Sequence, residues 1–150
     1  MTSRIRRIVL PLVFAAAPLA AQGQAPQVTY LVPTGAATTL PFSPAVKVDH
    51  MLYLAGQLGT DSTLKLAAGG IEAETRAALT NIKRLLEANG SDMDHVVKCL
   101  VMLADIAEWG KMNAVYVTFF PNHRPARSAM GASGLALNGR VEIECMATVP

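Results

Sequence analysis

An arginine and two glutamates lie in apolar segments near the end of the chain, and they are the side chains best suited to chemistry. In the last apolar run, strand alternation places Glu142 and Glu144 on one face and Ile143 and Cys145 on the other. Carboxylates in an apolar strand need partners, because a buried unpaired charge is costly. Arg127, in the preceding predicted strand, is such a partner if the two strands pair. Spacing alone favours a cross-strand Arg–Glu pair on a solvated face.

The histidines and cysteines do not form a metal or nucleophile motif. His50, His95 and His123 are dispersed along the chain, and we interpret them as surface or loop residues. Cys99 and Cys145 lie in strand-like apolar runs, and the sequence has no C-x-x-C pair. They can form a disulfide in an oxidising compartment or remain free as small buried hydrophobes, and we favour the second interpretation. We therefore expect no metal site.

The start of the chain has the pattern of a secretory signal peptide. Residues 1–7 contain Arg4, Arg6 and Arg7 and no acid, and residues 8–21 form an uncharged run of 14 residues rich in Ala and Leu. This run is shorter than the roughly 20 apolar residues that a membrane-spanning helix needs. An uncleaved anchor and a buried N-terminal helix are the alternatives.

The signal-peptide prediction sets the domain organisation and the compartment. We expect a signal peptide over residues 1–21, a linker over 22–40 and a single domain over 41–150. The mature protein is then secreted or periplasmic, without stable membrane association after cleavage. Removing 3 of the 13 basic residues leaves 10 against 11 acidic ones, a net charge of −1. With no basic run and few aromatic residues, nucleic acid is not an expected partner.

Hydrophobic periodicity predicts a two-layer α+β domain, with one mixed β-sheet and two helices on one face. The predicted strands cover residues 42–48, 51–58, 96–103, 126–131 and 141–149, and the predicted helices cover 71–89 and 106–120. Asp105 and Glu108 have the spacing of a capping box at the start of the second helix. Trp109 belongs to the apolar stripe of that helix, which we assign to the core. The opposite sheet face is too apolar to stay solvated, so we expect oligomerisation.

Four blocks of residues together resemble the RidA/YjgF family. They are Leu54-Ala55-Gly56-Gln57, residues 69–76 continuing through 81–88, residues 112–121, and Pro125-Ala126-Arg127-Ser128 followed by residues 141–144. Each block is weak alone, and their order and spacing carry the resemblance. It implies a RidA- or chorismate-mutase-like fold, assembled as a homotrimer with clefts between subunits. It also implies hydrolytic deamination of small 2-imino acids to 2-keto acids and ammonia, without a cofactor.

The same resemblance implies roles for individual residues. Arg127 matches the family's substrate-binding arginine, whose planar fork can hold a carboxylate bidentately. Glu142 matches the acid that positions a water beside the imine carbon and accepts its proton. The other matches line the substrate cleft; they are Gly56, Asn113, Phe42 and Ala129. A helix-surface position explains Asn113 equally well, and a bulge is compatible with Gly56.

The chain departs from many active family members at three contacts. Phe42 replaces a tyrosine, Ala55 a serine and Ala129 a cysteine, so apolar groups stand where polar or polarisable ones occur. Each hydrogen bond lost in this way costs about 0.5–1.5 kcal/mol. We therefore expect weaker activity, or a bulkier and less polar ligand. The alternative function is that of a non-catalytic trimeric binding protein for small carboxylates or partner proteins.

Overall fold

The structure, a computed structural model, describes residues 24–31 and 41–150. The elements are β1 Val28–Leu31, β2 Ala45–Val48, β3 Met51–Leu54, β4 Gln57–Leu58, α1 Gly70–Ala88, β5 Val96–Leu103, α2 Trp109–Tyr116, β6 Ala126–Gly131 and β7 Val141–Thr148. The predicted α+β class, with a mixed sheet and two helices, is confirmed. The predicted signal peptide lies outside the described residues, and β1 lies inside the predicted linker. No helix in the described ranges is long and apolar enough to cross a membrane.

The order of the strands separates the two segments that carry the predicted chemistry. The sheet runs β1-β2-β3-β7-β5-β6, with β4 also pairing with β7. All pairs are antiparallel except β5 with β6, which run parallel and are joined through α2, as a parallel pair requires a crossover. The assumption that the last two predicted strands pair was therefore wrong, because β5 lies between β6 and β7. The cross-strand Arg–Glu pair that it allowed does not form.

The core lies between one face of the sheet and the two helices. In α1, the buried residues recur at helical spacing and include Ile71, Leu79, Ile82 and Leu86. In β7, burial alternates strictly, and the residues that face the core are Val141, Ile143, Cys145 and Ala147. Burying a leucine or isoleucine side chain contributes about 1.5–3 kcal/mol, so this stripe stabilises the packing of α1 on the sheet. The strand face that carries Glu142 points away from the helices.

A disulfide crosses the centre of the sheet. Cys99 and Cys145 are register partners on β5 and β7, and their sulfur atoms are bonded. Both residues are buried in the hydrophobic core. The favoured interpretation of two free thiols was therefore wrong. The position of each cysteine in an apolar strand was read correctly, but which residues face each other depends on the strand register.

The start of the second helix differs from the prediction. The Asp105 carboxylate does accept a hydrogen bond from the Ala107 amide at 2.9 Å, but it caps a 3₁₀ turn over Ile106–Glu108. Glu108 does not close a capping box; its Oε1 accepts a hydrogen bond from Nη1 of Arg140 at 2.6 Å. Trp109 then begins α2 and is 45% exposed, so its assignment to the core was wrong.

Candidate functional site

The Arg127 guanidinium lies over two aromatic rings of α2. Its central carbon is 4.5 Å from the centroid of the Tyr116 ring and 5.8 Å from that of Trp109. Arg127 reaches this position because it is the register partner of Cys99, so its side chain lies on the helix face of the sheet. Cation–π attraction within about 6 Å of a ring centroid stabilises such an arrangement.

This guanidinium has no acidic partner in the part of the chain that the structure describes. Arg127 is half-buried, and no described carboxylate lies within 4.0 Å of its nitrogen atoms. Guanidinium groups withdrawn from water usually pair with an anion, because an uncompensated charge in a low-dielectric site is unfavourable. The arrangement therefore suits binding of a carboxylate, which a guanidinium can hold through two parallel N–H donors.

Two of the predicted cleft residues lie beside Arg127. Ala129 follows two residues later on β6, so it shares the helix face of the sheet and is partly buried. Asn113 lies on α2 between Trp109 and Tyr116 at i, i+4 and i+7 spacing, which places the three side chains on one face of the helix. The Asn113 Oδ1 and the Tyr116 hydroxyl are buried without a hydrogen-bond partner among the described residues. The site therefore offers additional polar atoms next to the cation.

Burial makes the Tyr116 phenol a weaker acid than usual. It raises the pKa of the phenol to about 12, and the nearby positive charge of Arg127 offsets only part of that rise. The hydroxyl is therefore protonated at neutral pH and can donate a hydrogen bond. Sequence reasoning missed both Tyr116 and Trp109 as candidate site residues, because their spacing is that of an ordinary core helix.

Glu142 and Gly56 form a second group of predicted site residues. Leu58 on β4 is the register partner of Glu142, which brings the carboxylate against the backbone that precedes β4. A Cβ atom at residue 56 would overlap Oε1 of Glu142, so the carboxylate occupies the space that any side chain there would fill. The Gln57 side chain donates to the carbonyl oxygens of Ala55 and Gly56, at 3.0 and 3.2 Å, and holds this backbone in place.

Phe42 belongs to a segment that is hydrogen-bonded to the same backbone. It is exposed, and it precedes Pro44, whose carbonyl oxygen accepts a hydrogen bond from the Ala55 amide at 2.9 Å. The segment that contains Phe42 is therefore tied to the residue next to Gly56. The predicted site residues accordingly fall into an arginine group, with Asn113 and Ala129, and a glutamate group that comprises Glu142, Gly56 and Phe42.

The arginine group and the glutamate group lie on opposite faces of the sheet. Arg127 aligns with Cys99 of β5, whereas Glu142 aligns with Met102, three residues further along the same strand. Because side chains alternate along a strand, an odd separation reverses the face. Glu142 therefore points to the face without helices, and the two side chains of one chain cannot contact one small substrate together.

Arg140 connects the elements that position both groups. Its amide donates to Oε2 of Glu74, a buried residue of α1, at 2.7 Å, and its carbonyl oxygen accepts from the Ala104 amide at 2.9 Å. Its guanidinium binds Glu108, which immediately precedes Trp109. The hydrogen bond with Glu108 also raises the pKa of Arg140 above its usual value. The residue that precedes β7, two residues before Glu142, is thus tied to α1 and to the segment between β5 and α2.

Two concave surfaces of the single chain lie away from both groups. A groove of about 630 Å³ runs between the 60–68 loop and α1, with Lys65, Arg76 and Arg84 at its rim. A smaller one of about 380 Å³ lies on the helix-free face, beside Met130 and Glu144. Neither contains Arg127 or Glu142. Within residues 24–31 and 41–150, no cluster of at least three His, Cys, Asp or Glu side chains could hold a metal ion.

Comparison with known proteins identifies the relatives of this chain. A family model described as Endoribonuclease L-PSP matches residues 34–149. The bovine protein named 2-iminobutanoate/2-iminopropanoate deaminase is 45% identical over 108 residues, which cover 71% of this chain and 79% of the relative. The Arabidopsis thaliana protein named Reactive Intermediate Deaminase A, chloroplastic is 39% identical over 110 residues, covering 73% of this chain and 59% of the relative.

Solved structures agree with the sequence comparison. The crystal structure of RidA from an Antarctic Psychrobacter species superposes with a TM-score of 0.71 at 36% identity, covering 75% of this chain and 92% of the other. The fold, the family-model match over residues 34–149 and the names of the relatives all indicate the same family. The chain therefore belongs to the RidA/YjgF family, whose family model is described as Endoribonuclease L-PSP.

Proposed function

We propose that this protein hydrolyses small 2-imino acids to 2-keto acids and ammonia. The observation that carries the proposal is the half-buried Arg127 guanidinium, which rests on aromatic rings and has no acidic partner among the described residues. Such a group suits the carboxylate that every 2-imino acid carries beside its reactive carbon. The names of the bovine and plant relatives support the same substrate class.

The reaction follows from the chemistry of two groups. Arg127 binds the substrate carboxylate through two parallel N–H donors and so orients the C=N carbon. Glu142 accepts a hydrogen bond from a water and takes its proton as the oxygen attacks that carbon. That proton passes to the nitrogen, which gives a tetrahedral amino alcohol. Glu142 then transfers the hydroxyl proton to the nitrogen as the C–N bond breaks and the C=O bond forms, so ammonia and a 2-keto acid are released.

The proposed site is formed by two copies of the chain. Arg127 and Glu142 of one copy face opposite ways, so a substrate that contacts both needs Arg127 from one subunit and Glu142 from its neighbour. Large apolar side chains on the helix-free face support burial against another copy: Tyr30, Tyr53 and Met130 are 69%, 40% and 49% exposed. We propose a homotrimer, which the family resemblance implies, and a closed ring of three copies would repeat the same two-sided contact.

We also propose that the protein works outside the cytoplasm. The support comes from the N-terminal sequence pattern and from the Cys99–Cys145 disulfide, because disulfides persist mainly in oxidising compartments. Mass spectrometry of the protein from the periplasm or culture medium tests this. A mature N-terminus near residue 22 supports export, and an intact N-terminus in the cytoplasmic fraction contradicts it.

An assay with imines generated in situ by an amino-acid oxidase tests the enzymatic function. We expect the purified protein to accelerate 2-keto acid formation over buffer, and no acceleration would leave only the binding-protein alternative. Replacing Arg127 by alanine should weaken 2-oxobutanoate binding roughly 30-fold or more, because it removes the cation that holds the carboxylate. The Arg124→Ala variant, which removes an exposed arginine three residues earlier, should behave like the wild type. An Arg127→Ala variant with full activity would contradict the assignment.

A further inference from the structure

Trp109 is a large aromatic side chain that neither the core nor the proposed reaction explains. It is 45% exposed at the first position of α2, whereas Tyr116, at the last position, is 4% exposed. The rest of the apolar stripe, including Met112 and Val115, is buried. The feature that Trp109 shares with Tyr116 is a position under the Arg127 guanidinium.

The two rings restrict the orientation of the Arg127 guanidinium. A ring that contacts the face of a guanidinium leaves the edge free, and the edge carries the N–H donors that fit a carboxylate. Tyr116 is itself fixed, because its ring packs against Phe120 at a centroid distance of 4.8 Å within the core. A side chain that is already fixed loses less conformational entropy when a ligand binds.

We infer that Trp109 and Tyr116 are positioning residues that hold the Arg127 guanidinium edge-on to the substrate carboxylate. The inference rests on the proposed function, because it assigns the two rings a role in the affinity for 2-imino and 2-keto acids. Their contribution lies in substrate binding and not in the attack of water on the imine carbon. Loss of a ring should therefore weaken binding while the rate at saturating substrate stays nearly the same.

Trp109 provides the cleaner test, because Tyr116 is part of the core and its removal would disturb the fold. Trp109→Leu keeps an apolar side chain but removes the ring, and Trp109→Phe keeps a ring. The control is Val117→Ala, which alters a partly exposed apolar residue immediately after α2. The measured quantities are the Kd for 2-oxobutanoate by calorimetry, the KM and kcat for 2-iminobutanoate, and the Arg127 Nε–H chemical shift.

We expect Trp109→Leu to raise Kd and KM roughly fivefold, with kcat within about twofold of the wild type. The Arg127 Nε–H resonance should lose a ring-current shift in this variant, and Trp109→Phe should recover most of the affinity. Wild-type Kd and KM in Trp109→Leu, or an equal loss in the Leu and Phe variants, would overturn the inference.

The Arg127→Ala variant separates this inference from the proposed function. If Arg127→Ala loses binding while Trp109→Leu does not, the carboxylate site stands and the positioning role is refuted. If Arg127→Ala binds 2-oxobutanoate as the wild type does, the carboxylate site itself is wrong, and both ideas are overturned.

Discussion

At the scale of single residues, the position of the Glu142 carboxylate depends on the absence of a side chain at residue 56. The Glu142 carboxylate lies where a Cβ of residue 56 would be, and the Gln57 side chain donates hydrogen bonds to the carbonyl oxygens of Ala55 and Gly56. Gly56 therefore leaves room for the Glu142 carboxylate, to which we assign the attacking water. Adding one carbon atom at residue 56 should therefore slow the reaction, even though this atom does not contact the substrate.

Gly56→Ala should lower kcat roughly 100-fold, because it displaces the acid that positions the attacking water. The measurement is kcat in the oxidase-coupled assay, together with the melting temperature to show that the domain still folds. Gly110→Ala is the matched control: no atom lies within 4 Å of its added Cβ, and alanine in an exposed helix stabilises by roughly 0.5–1 kcal/mol. Unchanged kcat in Gly56→Ala would show that the Glu142 position does not matter for turnover.

Tyr116 should make the free energy of unfolding depend on alkaline pH. Its pKa is about 12 in the folded protein, whereas the ordinary value for tyrosine is 10.0, so the unfolded chain loses this proton first. The stabilisation is complete below pH 10 and is lost as the pH rises from 10 to 12, by up to about 3 kcal/mol. Urea unfolding at pH 8.5, 10 and 11 measures it. The decline should be smaller in Tyr116→Phe, and an identical decline in both proteins would refute this origin.

The candidate site residues could be proposed from the sequence, but their relative placement could not. Strand alternation and the family resemblance predicted Arg127, Glu142, Gly56 and Asn113 as site residues, and the predicted roles remain proposals. The aromatic support of Arg127 was missed, because a stripe containing Trp109 has the spacing of an ordinary core helix. Only the packing of α2 against β6 shows which members of the stripe meet the arginine.

At the scale of elements, strand order decides the geometry of the site. The apolar runs and the long amphipathic helix were predicted well, because periodicity is a local property of the sequence. Which strands lie next to each other is not a local property, because neighbouring strands can be far apart in the sequence. The crossover through α2 places β6 beside β5, and this arrangement puts Arg127 and Glu142 on opposite faces.

The Cys99–Cys145 disulfide joins β5 to β7 at the centre of the sheet, and its removal should destabilise the domain. The cysteines are 46 residues apart, and a bridge that closes a loop of this size restricts the unfolded chain by about 4 kcal/mol in the chain-entropy model. We expect the Cys99→Ala/Cys145→Ala double variant to lose a similar amount in urea unfolding.

The wild-type protein under a strong reductant provides the comparison for this prediction. Its free energy of unfolding should approach that of the double variant, because both then unfold to an uncrosslinked chain. The double variant itself should not respond to reductant. Equal stability of the oxidised protein and the double variant would mean that the bridge contributes nothing to folding.

At the scale of the whole molecule, the single chain holds the two halves of the proposed site apart. The arginine group opens on the helix face at the edge strand β6, whereas the glutamate group opens on the helix-free face. The apolar helix-free face explains why a second copy would bind there, since burial of apolar side chains drives association. Assembly and activity should therefore depend on each other.

Mixing two inactive variants tests this central claim most directly. Arg127→Ala keeps the acid and Glu142→Gln keeps the arginine, so neither alone should hydrolyse imines. If each site combines Arg127 of one copy with Glu142 of the next, random co-assembly of equal amounts restores about one quarter of the sites. We predict about a quarter of the wild-type activity per chain after co-refolding, and none when each variant is refolded alone. Mixed oligomers that form without recovering activity would contradict the account.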